Sequence, residues 1–226
     1  MLSAGELPTV QIYDFQEEPE GEGILMEFRL MYEGPLHAET GSRPHVAEKH
    51  AIRKCFHPQL KELWNQLPLC RQKEQKYEFA DGTTSFHDHI ANRYQRCGYN
   101  FVPLVSQSTG ADCCELNILF LRRDNPGSIV TSGGDIDNRI KVLFDALRMP
   151  TESSQLPKGC ETPSSEEKPF YCLLEDDSLI TTVRVETDRL LRPVTDGGKL
   201  HDVVLVVSVK TRMSGYGRLG EEELCS

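Results

Sequence analysis

No apolar run in this 226-residue sequence approaches the roughly 20 residues of a membrane-spanning helix. The start, MLSAGELPTVQIYDF, has no basic leader and no unbroken apolar stretch, so no secretory signal is expected. A regular cysteine framework is also missing. Eight cysteines are scattered, with Cys113 and Cys114 adjacent, and a chain this long can bury a core without disulfide staples. These absences predict a reduced, cytoplasmic protein (nucleoid-associated if bacterial) with no membrane partner. Neither Gly133-Gly134 nor Gly197-Gly198 has P-loop spacing, so both read as turns.

Basic excess is lacking too. The net charge is −10, unlike the strongly positive surface that announces a nucleic-acid binder. The acidity is uneven, however. Six acids and no base precede Gly23, and Glu152 to Asp177 sets seven acids against Lys158 and Lys168. The remainder is about neutral. Residues 1–23, broken by Pro8, Pro19, Gly21 and Gly23, read as an acidic flexible tail. Residues 24–210 read as one domain with insertions at about 66–112 and 150–169, and residues 211–226 as a C-terminal tail.

Within the domain, Ile24 to Tyr32 predicts a strand that Gly34-Pro35 ends. His45 to Asn65 predicts a helix with Val46, Ile52, Phe56, Leu60, Leu63 and Trp64 toward the core, and Pro58 predicts a kink or break in it. Arg43, Lys49, Arg53, Lys54 and Lys61 make this region basic and are the candidate DNA-binding residues. His37, His45, His50 and His57 share no single metal-ligand spacing and read as surface or phosphate-neighbouring residues, not ligands. His87-Asp88-His89 with Cys97 lacks the second cysteine pair of a zinc site. Tyr99 to Ser106 and Leu116 to Arg122 predict strands. Pro150 to Pro169, rich in Ser, Pro, Thr and Glu with no apolar period, predicts a disordered segment. Phe170 to Leu174 returns to order, and Leu179–Glu186 and Val203–Val209 predict two more strands.

Gly133 to Leu147, GGDIDNRIKVLFDAL, organises the rest. Ile140, Leu143, Phe144 and Leu147 follow the i, i+3, i+4, i+7 spacing of a helix with one buried face. Asp135 and Asp137 stand at its start, where a carboxylate can cap free N–H groups. Asn138, Lys141, Asp145 and Arg148 form a polar stripe, with Lys141 one turn beyond Asp137. Two close acids followed by a lysine suit a divalent cation and a phosphate; plain helix capping is the alternative. An EF-hand is excluded, because Arg139 and Ile140 occupy positions that need an oxygen ligand and the turn glycine. The pair Asp176-Asp177, opening the next strand, offers a third carboxylate.

Taken in order, GGDIDNRIKVLFDAL, EDDSLI and RPVTDGGKLHDVVLVVSV resemble the RusA family of crossover junction endodeoxyribonucleases, which resolve Holliday junctions. The resemblance spans about Glu115 to Lys210 apart from the second insertion. It implies a small α/β fold with a mixed β-sheet flanked by helices, to which this chain adds acidic tails and insertions. It implies a homodimer that cleaves branched, four-way DNA with Mg²⁺, or alternatively Mn²⁺. By position it implies Asp135, Asp137 and Asp177 as catalytic and metal-binding carboxylates converging within a few ångströms, and Lys141 as a catalytic lysine. Asn138, Asp145 and Asp176 match supporting positions. A RusA-like module that binds branched DNA or a protein without cutting, and an acidic structural protein, are the competing readings.

Overall fold

The strand expected from Leu116 begins earlier: from Cys113 to Arg122 every second side chain is buried. The computed structural model describes residues 24–38, 45–79, 82–123, 136–191 and 202–212. Its elements are β1 (Ile24–Pro35), α1 (Val46–Leu63), α2 (Leu69–Glu74), β2 (Lys76–Phe79), β3 (Gly82–Ser85), α3 (Phe86–Arg93), β4 (Gln95–Arg96), β5 (Tyr99–Val105), β6 (Cys113–Arg122), α4 (Ile136–Leu147), β7 (Phe170–Leu174), β8 (Ile180–Arg189) and β9 (Asp202–Arg212). The fold is mixed α/β. One sheet has the order β1-β9-β6-β8, a second has β4-β5-β7, and β2 pairs with β3.

Register explains the larger sheet. Antiparallel pairing puts Phe28, Val209 and Leu116 in one row, Leu30, Val207 and Ile118 in the next, and Tyr32, Leu205 and Phe120 in a third, all buried. Such cross-strand rows of β-branched and aromatic side chains are the unit of sheet stability. β8 lies parallel to β6 at the edge and is mostly exposed. A parallel pair needs a long crossover, and α4 lies in the one that joins β6 to β8. β5 and β7 are also parallel, and both are buried on nearly every residue, as expected of strands covered on both faces.

α1 packs on β7, α4 and β1. Ile52, Phe56, Leu60, Leu63 and Trp64 are buried as expected, while Val46 is only partly covered. Pro58 does not break the helix. It is exposed, inside one helix that buries residues both before and after it. Trp64, Tyr99, Phe101 and Phe170 complete this part of the core. No helix among the described residues is long and apolar enough to cross a membrane. Every described cysteine is a free thiol.

Two expectations need correction. The segment 150–169 is built into the fold rather than disordered. It carries short 3₁₀ turns at Ser153–Gln155 and Ser165–Glu167, and it buries Leu156 and Glu167. Polar ties replace the missing apolar period: Tyr99 Oη donates to the Cys160 carbonyl (2.8 Å), and Lys54 Nζ meets Glu167 Oε1 (2.7 Å). The last strand also runs beyond the expected tail boundary, since β9 includes a fully buried Thr211 and Arg212. Pairing with β1 and β6 holds both residues in the sheet.

Candidate functional site

α4 supplies the candidate site. Its core face is wider than four positions: Arg139, Ile140, Val142, Leu143, Ala146 and Leu147 are all buried, while Phe144 is only partly buried. Arg139 donates through Nη1 to the Leu36 carbonyl, which fixes the helix start against the end of β1. Asp135, with the Gly-Gly turn before it, lies outside the described residues, as does Arg43. Asp137, in the first turn, and Lys141, one turn on, are both exposed. Neither forms an ion pair with another described residue. Asn138 is half-buried.

The stripe then becomes a charge network. Asp145 Oδ2 accepts from Lys49 Nζ (2.7 Å), and Oδ1 accepts from Arg148 Nη2 (2.7 Å) and Nε (3.1 Å). Burial alone would raise the Asp145 pKa, but these hydrogen bonds and charges hold the carboxyl below its ordinary value. Arg148 Nε also stands 4.0 Å from Asp177 Oδ2, at the outer limit of an ion pair. Asp177, nearly half exposed, opens a 3₁₀ turn, Asp177–Leu179. Asp176 caps that turn by accepting from Ser178 N (3.0 Å), and hydrogen bonding from the Ser178 side chain and backbone holds its carboxyl below the ordinary value.

These residues fit Mg²⁺ in donor type, since carboxylate oxygens and open solvent positions suit it. Convergence is another matter. Among the described residues, no three of Asp137, Asp145, Asp176 and Asp177 bring ligand atoms within 4.8 Å of one another. Asp145, the residue Arg148 links to Asp177, stands two turns from Asp137, about 12 Å along the helix axis. Asp135, the remaining member of the expected carboxylate set, lies outside the described residues.

The basic residues of α1 make contacts within the fold. Lys49 is committed to Asp145, Lys54 to Glu167 and Lys61 to Glu166. Arg53 is 3% exposed and donates to the Asp145 carbonyl (2.7 Å) and the Arg148 carbonyl (3.1 Å). Those are carbonyls at the α4 C-terminus, which a helix leaves without partners. Burial lowers the Arg53 pKa to about 10, so it remains a cation at neutral pH.

The histidines divide into two groups. His50 and His57 are buried, not surface residues. His57 Nδ1 accepts from Tyr171 N (2.9 Å), so Nε2 carries the hydrogen and donates to the Glu166 carbonyl (3.0 Å). A neutral imidazole thus ties the 150–169 segment to β7. His50 packs near Tyr99 and Phe170 with neither ring nitrogen partnered. Desolvation by burial pushes its pKa down to about 4. His87 Nε2 meets Tyr171 Oη at 2.8 Å. His37 and His45, by contrast, gather with Glu48 into a three-ligand group. Pairwise spacing obscured it, although His45 and Glu48 lie three residues apart at the start of a helix, a readable i, i+3 signal.

No family model, curated protein or solved structure compared with this chain matches it.

Proposed function

We propose that this protein is a RusA-like, Mg²⁺-dependent endonuclease that resolves four-way DNA junctions as a homodimer. The observation that carries the reading is the exposed Asp137–Lys141 pair on consecutive turns of α4, with exposed Asp177 linked to the same helix through Arg148. Asp137, Asp177 and Asp135 would hold Mg²⁺, which supplies an activated water and charge neutralisation at a phosphodiester. Lys141 acts on the charge that develops on the phosphate oxygens. Asp145 and Arg148 orient the stripe, and Asp176 fixes the turn that presents Asp177. A two-fold dimer would present two such sites to a two-fold junction.

The test is incubation of the pure protein with a synthetic four-way junction and a linear duplex in Mg²⁺. The expected result is cleavage of the junction alone, and loss of at least about 100-fold in Lys141→Ala, as for removal of one group that stabilises transition-state charge. Equal cleavage of both substrates, or none, overturns the reading.

The net charge of −10, adverse to a phosphate backbone, favours a second reading, a RusA-like module that holds branched DNA or a protein partner without cutting. Junction binding with no cleavage in either Mg²⁺ or Mn²⁺ would select that reading.

A further inference from the structure

We propose that His37, His45 and Glu48 form a transition-metal site of the Zn²⁺ class, separate from the α4 carboxylates and independent of the nuclease reading. The three side chains come from the end of the β1 segment and the first turn of α1, and their ligand atoms lie within 4.8 Å of one another. Glu48 is already oriented. Its Oε1 accepts from the backbone N–H of His37 (2.7 Å), which leaves Oε2 toward both imidazoles. Oε2 is 2.6 Å from His37 Nδ1 and 3.7 Å from His45 Nδ1.

His45 makes the case for a cation. Its Nε2 is 3.2 Å from the Ala38 carbonyl. A carbonyl only accepts, so Nε2 carries hydrogen. In the neutral ring Nδ1 is then a bare lone pair, facing the carboxylate oxygen of Glu48. Two acceptors facing each other repel unless a cation lies between them. A carbonyl that fixes the outer nitrogen of an imidazole is also the usual support of a metal-bound histidine. The two rings are nearly parallel, with centroids 5.7 Å apart.

The spacing fits. Ligands about 2.1 Å from Zn²⁺ in a tetrahedron are about 3.4 Å apart. Two of the three ligand-atom distances, 2.6 and 3.7 Å, bracket that value, and the third lies within 4.8 Å. Two imidazoles and one carboxylate select Zn²⁺ or a similar borderline metal over Mg²⁺. They also leave a fourth position for water or a ligand. Side-chain exposures of 40% for His37 and 21% for His45 give the ion a path from solvent, while Glu48, at 12%, is the most covered of the three. Protons compete for the imidazole nitrogens, so affinity falls on acidification.

The test uses the full chain, stripped with a chelator and titrated with Zn²⁺ against a chromophoric competitor. Excess Mg²⁺ keeps hard carboxylate sites occupied. The expected result is one Zn²⁺ per chain, with His45→Ala weakening it at least about tenfold and the His37→Ala/His45→Ala pair abolishing it. Both histidines are partly exposed, so these variants keep the circular dichroism of the parent. Co²⁺ in place of Zn²⁺ gives visible absorption without a thiolate charge-transfer band. Binding that survives in the double variant overturns the proposal. So does a thiolate band, or the absence of Zn²⁺ binding in the parent. Junction cleavage is not a readout, so failure here leaves the nuclease reading standing, and the converse also holds.

Discussion

α1 and α4 pack against each other, and both carry charged residues beside a buried apolar face, yet their charges do different work. On α1, Lys49, Lys54 and Lys61 meet carboxylates 96 to 113 positions away in sequence, and Arg53 is buried against α4 carbonyls. On α4, Asp137 and Lys141 face solvent. A cation in a sequence is therefore not yet a binding surface. What decides is whether folding brings a carboxylate or an orphan carbonyl to it. The contrast separates α1, whose charges tie it to α4 and to the 150–169 segment, from the first turns of α4, where Asp137 and Lys141 are left in solvent.

The sharpest way to break that contrast is to remove one cation from each helix. Arg53→Ala strips the α4 C-terminus of two hydrogen bonds and empties a packed site. A loss of about 3–5 kcal/mol is expected in urea denaturation, the range for breaking a buried charged network. A loss below about 1 kcal/mol would mean that α4 does not depend on α1 for its termination.

The buried histidines give the next largest effect, and its sign follows from burial. His50 has a folded pKa of about 4, below its unfolded value, and desolvation lowers His57 and His87 as well. The native state then binds fewer protons than the unfolded chain. Stability is complete above the unfolded pKa and is lost as pH falls from about 6.5 toward 4, by up to about 3 kcal/mol for His50 alone. His50→Leu should flatten this slope in thermal melts across that range. An unchanged slope would assign the acid sensitivity to His57, His87 or the carboxylates.

A smaller effect is expected at the 150–169 segment. Glu167→Gln keeps the hydrogen bond from Ser164 N (2.8 Å) but removes the charge facing Lys54. Because the pair is only partly buried, about 1 kcal/mol should be lost. Limited proteolysis should then cut this segment faster. The smallest change is Lys141→Ala, expected within about 0.5 kcal/mol of the parent, as for an exposed side chain without partners. A larger loss would place Lys141 with α1's structural cations.

Periodicity made much of the frame readable. The alternation at Leu116–Arg122, the valines of β9 and the apolar stripe of α4 each met the expected element, because a buried face imposes its period on the residues that build it. The 150–169 segment was not readable because polar groups hold it, with partners such as His57 and Tyr99 distant in sequence. The burial of Arg53 and His57 was hidden for the same reason. At the candidate site, sequence order identified the stripe Asn138, Lys141, Asp145 and Arg148 beyond Asp137. It did not foresee that Asp145 would be drawn into pairs with Lys49 and Arg148, or that His37 and His45 would meet at Glu48.

The most direct measurement is Mg²⁺-dependent cleavage of a four-way junction by Asp137→Asn, with binding followed on the same sample. Asparagine caps a helix about as well as aspartate, so the fold should be kept while one negative charge is removed. The expected result is cleavage reduced at least about 100-fold with binding retained or tightened, because one less charge repels the phosphates. Parent-like cleavage by a pure, folded Asp137→Asn sample would contradict the account, leaving Asp137 a helix cap and nothing more.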